Sequence, residues 1–364
     1  MTTSVFCFSV NAIALADTAK SAVLINADTK EVIFEKNAYE TLPMASTTKI
    51  MTSLILAEQQ DLEKRIVCTN EMVTVEGSSM GLLPGDIVTY NDLLYGMLLA
   101  SGNDAANTTA ISIAGSIENF VKIMNLRARL MGLHSTNFAT PSGLDNENHY
   151  STAYDMAVLT SYALKNAKFR TAASSYTKRL CYGNPPYNRT LTNHNKLLKS
   201  YDGLIGVKTG FTKKSGRCLV TAAERDGATV IAVTLNDPND WQSHKNLLNF
   251  GFSALQTTEL CVNLEDVRLD VSKGTLNSLA VKSNTVVVNL LPENYKRVKE
   301  EVILPQSVSA PIDVGDVVGK VKYYLDDNLI ETADIYSITN VERLSETTFC
   351  KKFFSNFKRI FLKI

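Results

Sequence analysis

The sequence predicts a mixed α and β domain over residues 17–257, followed by a smaller all-β domain over 258–342, and three observations predict it. First, between Ser21 and Thr257 apolar stretches of helical period alternate with short β-type runs, separated by turn signals such as Pro84-Gly85-Asp86 and Pro141-Ser142-Gly143. Second, Leu219–Ala223 and Val230–Leu235 flank Asp226-Gly227, the pattern of an antiparallel hairpin. Third, after Thr257 the texture changes to Val/Leu/Ile runs (VRLDV, SLAVK, TVVVNLL, EVILP, VVGKVKYYL) broken by Gly, Pro and Asn. The 364 residues suit two such units, at roughly 100–200 residues per domain.

In chain order, residues 1–16 (MTTSVFCFSVNAIALA) are uncharged, apolar from Val5, and end in Ala14-Leu15-Ala16, the small-x-small pattern of a signal-peptidase cut without the usual basic start. A first buried strand is the alternative for this stretch. Ser21–Asn26 then reads as the first strand of the body. Helices are expected at Thr47–Gln59, Asn91–Leu99, Asp104–Ala114, Ile117–Met131, Thr152–Asn166 and Gln242–Phe250, with Gly203–Thr212 as a strand before the hairpin. Residues 343–364 are a linker and a tail. In Thr348–Ile364, Phe349, Phe353, Phe357, Ile360 and Ile364 recur at spacings of three and four, while five Lys/Arg tend to the other side. Such a helix lies in a membrane interface; a terminal helix docked on the body is the alternative.

Composition narrows the function. Lys+Arg and Asp+Glu number 37 each, so no general field attracts phosphate backbones, and nucleic acid is not an expected partner. The balance is uneven: the tail holds five of the cations and none of the acids, leaving a mildly acidic body. Six scattered cysteines without a C-x-x-C pair, and only four histidines, indicate neither a zinc site nor a disulfide framework, and no cofactor is expected.

Ser-x-x-Lys occurs three times, at Ser46–Lys49, Ser175–Lys178 and Ser355–Lys358. Only Ser46 follows a helix-start cue (Leu42-Pro43-Met44-Ala45) and precedes an apolar helical run. In the first turn, Lys49 lies on the same face as Ser46 and within reach of it. A serine hydroxyl is a weak nucleophile until a neighbour takes its proton, and an amine walled in by apolar groups and other cations can serve. Taken alone, Ser46 reads equally as a helix cap. Two further short motifs follow, Ser101-Gly102-Asn103 after a helix and Lys208-Thr209-Gly210 at a strand end. Each is weak singly.

The ordered set of a serine–lysine pair, Ser-x-Asn and Lys-Thr-Gly resembles the penicillin-binding proteins and serine β-lactamases. The surrounding stretches (LPMASTTKIMTSLIL, LLASGNDAANTTA, NHYSTAYDMAVLTSYAL, GVKTGFTKKSGRCLV) are similar to the low-molecular-weight D-alanyl-D-alanine carboxypeptidases. The resemblance implies a penicillin-binding, transpeptidase-like fold, with an antiparallel sheet flanked by helices, a small β domain and an amphipathic C-terminal anchor. It implies secretion, attachment to the outer face of the cytoplasmic membrane, a peptidoglycan stem peptide ending in D-Ala-D-Ala as substrate, and β-lactams as inhibitors. Carried over residue by residue, it makes Ser46 the acylated nucleophile, Lys49 its base and Ser101 a proton relay. Asn103 would hold the substrate's peptide group. Lys208 and Thr209 would bind the carboxylate end, beside Gly210. The N–H groups of Ser46 and Phe211 would form the oxyanion hole.

Two departures stand out. Ser142 precedes Gly143-Leu144 where many members have His, and Asp240-Trp241-Gln242 stands where some relatives place Arg. The cation that assists Thr209 is therefore open between Arg217 and His194, for which a surface ion pair and a loop histidine are the plainer readings. Two rival functions remain in the same fold. A serine β-lactamase would need a Glu-x-x-x-Asn loop, which is not found before Lys208; a non-catalytic wall-binding module is opposed by the complete motif set.

Overall fold

The structure, a computed structural model, describes residues 15–344. Most of the apolar N-terminal stretch and the phenylalanine-rich tail lie outside the described residues. The chain divides into two compact units between Ala254 and Leu255.

The first unit starts with β1 (Ser21–Asn26) and β2 (Val32–Lys36). A 3-10 turn (Ala45–Thr48) leads into α1 (Lys49–Ala57). A small ribbon of β3 (Arg65–Val67) and β4 (Ile87–Thr89) brackets α2 (Asn70–Val73). Then come α3 (Tyr90–Leu98), α4 (Asn103–Ala114), α5 (Ile117–Leu130), α6 (Ala153–Leu164) and α7 (Ala167–Ser174). A second ribbon, β5 (Thr177–Gly183) with β6 (Pro186–Thr192), precedes β7 (Leu204–Thr212), β8 (Gly216–Arg225), β9 (Ala228–Leu235) and α8 (Asp240–Ala254).

The main sheet is antiparallel throughout, in the order β2-β1-β9-β8-β7. The hairpin between β8 and β9 turns on Asp226 (φ 49°) and Gly227 (φ 76°). Two successive positive φ values match the right-handed twist of the strands they join. Both faces of the sheet are buried, and its alternation sorts the side chains. Val23, Ile25, Val220, Ala222, Ile231 and Val233 join the large helical core. Leu24 meets α8 instead, where a methyl on Gly251 would stand 3.0 Å from its side chain.

All nine residues of α1 are buried, so this helix is the centre of the domain and not an amphipathic surface element. The predicted helices appear within a few residues of their expected ends. The first differs in kind: its opening turn is 3-10, because Ala45 holds a left-handed φ of 48° and the chain enters too tightly for α geometry.

The second unit is all β, from β10 (Gln256–Leu260), β11 (Arg268–Ser272), β12 (Ser278–Ser283) and β13 (Val286–Leu290) to β14 (Val298–Ile303), β15 (Ser307–Ser309), β16 (Val317–Leu325) and β17 (Asn328–Ser337). Six strands form one sheet, β14-β16-β17-β12-β11-β15, and β10 pairs with β13. Its own core gathers Leu269, Leu279, Val281, Val321, Tyr323 and Ile335. Among the described residues no helix is long and apolar enough to cross a membrane.

Candidate active site

Ser46 lies inside the 3-10 turn that starts α1, with Met44 at the N-cap position, so its hydroxyl is not a cap. Two threonines tie the turn: Thr47 Oγ1 donates to the Met44 carbonyl (2.6 Å) and Thr48 Oγ1 to the Ala45 carbonyl (2.8 Å). Because α1 is locked in the core, the turn at its end has a rigid mount. Of the other Ser-x-x-Lys pairs, Ser175 donates to the Thr171 carbonyl at the end of α7 and Lys178 lies over the Tyr95 ring. Ser355 and Lys358 lie outside the described residues.

Lys49 Nζ stands 3.0 Å from Ser46 Oγ, 2.7 Å from Asn103 Oδ1 and 2.7 Å from the Ser142 carbonyl. The last two oxygens can only accept. A neutral amine therefore gives its two hydrogens to them and turns its lone pair toward the Ser46 hydroxyl. Burial favours that neutral form. Lys49 is wholly inaccessible, and desolvation, followed by the nearby Lys208 ammonium, holds its pKa well below the ordinary lysine value against an opposing pull from Asp104.

Ser101 follows α3 with a left-handed φ of 58°, a conformation that costs about 1–3 kcal/mol in a residue other than glycine. A lysine from the main sheet bonds its hydroxyl. Lys208 Nζ, on β7, donates to Ser101 Oγ (3.0 Å) and to the Thr209 carbonyl (2.8 Å). Burial brings the Lys208 pKa down to about 7. Asn103, the first residue of α4, accepts from Lys49 and donates from Nδ2 to the Glu76 carbonyl (2.7 Å). Next to it, buried Asp104 gathers Ser79 Oγ and the N–H groups of Met80, Gly81 and Leu82 at 2.6–3.1 Å, fixing the loop that covers this side of the site.

Beside these groups opens a cavity of about 550 Å³, reached by Ser46, Ser101, Thr209 and Phe211. Its wall depends on Gly210. A methyl there would stand 3.1 Å from both Ala45 Cβ and Ser46 N, so glycine is what lets β7 run against the serine turn. On β8, Arg217 pairs across from Phe211 and also lines the cavity. Its Nη2 donates to Asp240 Oδ1 (2.8 Å), its plane lies over Trp241 at 5.4 Å, and its buried Nε has no partner. His194 lines the rim, and burial together with the Lys208 charge lowers its pKa from the usual 6.5. Cys218, next along β8, is buried.

Serine and lysine, the Ser-Gly-Asn corner and the Lys-Thr-Gly strand thus converge from four separate elements on one cavity. The family model for D-alanyl-D-alanine carboxypeptidase (peptidase S11) matches residues 9–239. The chain belongs to this family. A second model, for the penicillin-binding protein 5 C-terminal domain, matches residues 263–343. Among curated carboxypeptidases of the family, the chain is 34% identical to D-alanyl-D-alanine carboxypeptidase DacF of Bacillus subtilis over 349 residues, covering 93% of this chain and 90% of that protein. Its fold is similar to crystal structures of penicillin binding protein 5 from Haemophilus influenzae, with a TM-score of 0.66 and 27% identity over 90% of this chain and 98% of that one. It is also similar to the Streptomyces K15 DD-transpeptidase, with a TM-score of 0.62 and 32% identity over 65% of this chain and 97% of that one.

Several residues of this carboxypeptidase site escaped the sequence reading. The Ser142 carbonyl is a backbone acceptor and has no side-chain signature. Asp104 and Asp240 sit at helix starts, where an acid usually serves the helix dipole. Gly143 had a cue, its place in a Pro-Ser-Gly turn. With φ at 88° and the Ala45 carbonyl only 2.0 Å from where a methyl would be, it is the close-contact glycine of the site.

Proposed function

We propose that this carboxypeptidase removes the terminal D-alanine from peptidoglycan stem peptides through an acyl-enzyme on Ser46, and that β-lactams acylate the same oxygen. The single observation that carries this reading is the Lys49 amine, buried and bonded to two obligate acceptors, with its remaining valence aimed at Ser46 Oγ. Lys49 takes the hydroxyl proton as Ser46 attacks the carbonyl carbon. Negative charge develops on the carbonyl oxygen, toward the N–H groups of Ser46 and Phe211. Ser101, joined to Lys208, delivers a proton to the departing amine, and D-alanine leaves. Water then cleaves the ester: its hydroxyl joins the acyl carbon, its proton restores Ser101, and Lys49 returns its proton to Ser46. The second hydrogen of the Asn103 amide is assigned to the substrate's peptide group.

The free carboxylate meets Lys208, Thr209 and Arg217. Of the two candidate cations, the planar fork of a guanidinium suits a carboxylate, whereas burial and the Lys208 charge lower the pKa of His194 and disfavour its charged form. Asp240 accepts from Nη2 and so fixes the guanidinium at the cavity wall.

Purified protein incubated with a fluorescent penicillin and with an acyl-D-Ala-D-Ala peptide tests the reading. Label and D-alanine release are expected from the wild type and neither from Ser46→Ala. Persistent label in Ser46→Ala would reject the nucleophile, and rapid turnover of the penicillin would favour a β-lactamase.

The finer localisation is proposed on sequence grounds: residues 1–16 direct export, and the basic, phenylalanine-rich segment Thr348–Ile364 rests on anionic lipid. Deleting that segment is expected to move the protein from the membrane to the soluble fraction with small-peptide activity kept. Unchanged sedimentation with membranes would refute the anchor.

A further inference from the structure

His149 is buried, 4% exposed, on the loop that follows Gly143 and outside every catalytic motif. Its two ring nitrogens each make one hydrogen bond. The Ala139 N–H donates to Nδ1 (2.9 Å), and Nε2 lies 2.7 Å from Thr48 Oγ1. Since Nδ1 accepts, the proton of a neutral ring is on Nε2, and the ring donates to Thr48. The reverse, Thr48 donating to Nε2, would require an imidazolate, and an imidazolium would set two N–H groups head to head at Ala139. Thr48 Oγ1 is then free to donate, and it does so to the Ala45 carbonyl (2.8 Å). The bonds run one way: Ala139 N–H to His149, His149 to Thr48, Thr48 to Ala45.

The end of this relay matters. The Ala45 carbonyl belongs to the peptide group whose other half is the Ser46 N–H. A peptide group is planar, with C=O and N–H pointing opposite ways, so anchoring one aims the other. Gly143 packs against the same carbonyl and against Thr48: a methyl on it would stand 2.0 Å from the Ala45 oxygen and 2.8 Å from Thr48 Oγ1. Ala45 itself has a left-handed φ of 48°, so the plane is held in an orientation that an unanchored alanine would leave.

We infer that His149 is a positioning residue which, through Thr48, aims the Ser46 N–H into the oxyanion hole. The inference rests on the proposed acylation of Ser46, and that reading fails separately, through Ser46→Ala. Thr48→Val keeps the shape of the side chain and removes the hydroxyl. It is expected to slow acylation by a penicillin about tenfold or more, below the roughly 10²–10³ lost when such a donor is removed outright. The dissociation constant of the initial complex should hold, and Thr48→Ser should recover the rate. Isotope-edited infrared spectra of the acyl-enzyme supply a readout that general loosening would not move. The ester carbonyl band should shift to higher frequency in Thr48→Val, and in His149→Phe where that variant folds, because the carbonyl loses a hydrogen bond. Wild-type acylation and an unshifted band in Thr48→Val, with Ser46→Ala unlabelled, would overturn the relay while leaving the nucleophile in place.

Discussion

Replacing Lys49 by methionine is expected to cut acylation of Ser46 by about 10²–10⁴-fold, the range general-base catalysis supplies. Methionine nearly matches the lysine stem, and the site is fully buried, so packing around α1 is preserved. What disappears is the lone pair facing Ser46 Oγ. The Asn103 and Ser142 oxygens lose their donor, while the cost of burying an amine is relieved, so stability is expected to change far less than rate. Stopped-flow labelling with a fluorescent penicillin measures it, and a loss smaller than tenfold would remove Lys49 from the proton path. The pH profile gives the sign independently. The competent form is the neutral amine, so acylation falls as acid protonates Lys49, and this limb should vanish in the variant. On the other side Lys208 loses its charge as pH rises through about 7. The free-enzyme kcat/KM for a peptide with a free carboxylate should therefore decline there, since binding needs the cation.

Arg217→Ala is the second large effect. A hydrogen bond to a charged group contributes about 1.5–3 kcal/mol, so kcat/KM for the free acid is expected to drop roughly 10- to 100-fold, with the lower end favoured by the partial exposure of the side chain. The informative quantity is a ratio. Wild-type enzyme should prefer the free acid over the corresponding methyl ester, and the variant should lose most of that preference while its rate on the ester changes little. Equal losses on both substrates would mean that Arg217 supports the wall of the cavity and not the carboxylate. Asp240 belongs to the same device. Burial already raises its pKa, so without its arginine partner it is expected to take up a proton more readily.

Much of this was legible before any coordinates. The hairpin followed from Asp226-Gly227, where glycine and aspartate tolerate positive φ, and the helices from apolar spacing. Four motif residues, Ser46, Lys49, Ser101 and Lys208, carry side-chain chemistry that a sequence displays; the two serines line one cavity, and the two lysines are bonded to them from behind its wall. The less legible parts have a common physical character. Of the two ribbons, β3 and β4 have three residues each, too few for a pattern, and β5 with β6, though seven residues each, bury only a few side chains and lack a strong apolar alternation. The 3-10 opening of α1 depends on one left-handed alanine, a conformation that no residue preference announces.

By itself, then, the sequence determined which groups could react and in what chain order they occur, because nucleophile, base and cation are properties of side chains. Only the tertiary structure decided their states and aim. Lys49 has a depressed pKa, which suits it to the proposed role of base, because the fold buries it between two acceptors near a second lysine. Arg217 is placed at the cavity wall, where we propose it meets the carboxylate, because Asp240 arrives from α8 to hold it. His149 has a single possible tautomer because a backbone N–H from Ala139 meets one of its nitrogens. Each of these depends on groups far apart in the chain and on backbone atoms that every residue shares, and the pattern of side chains cannot encode such contacts until the chain has folded.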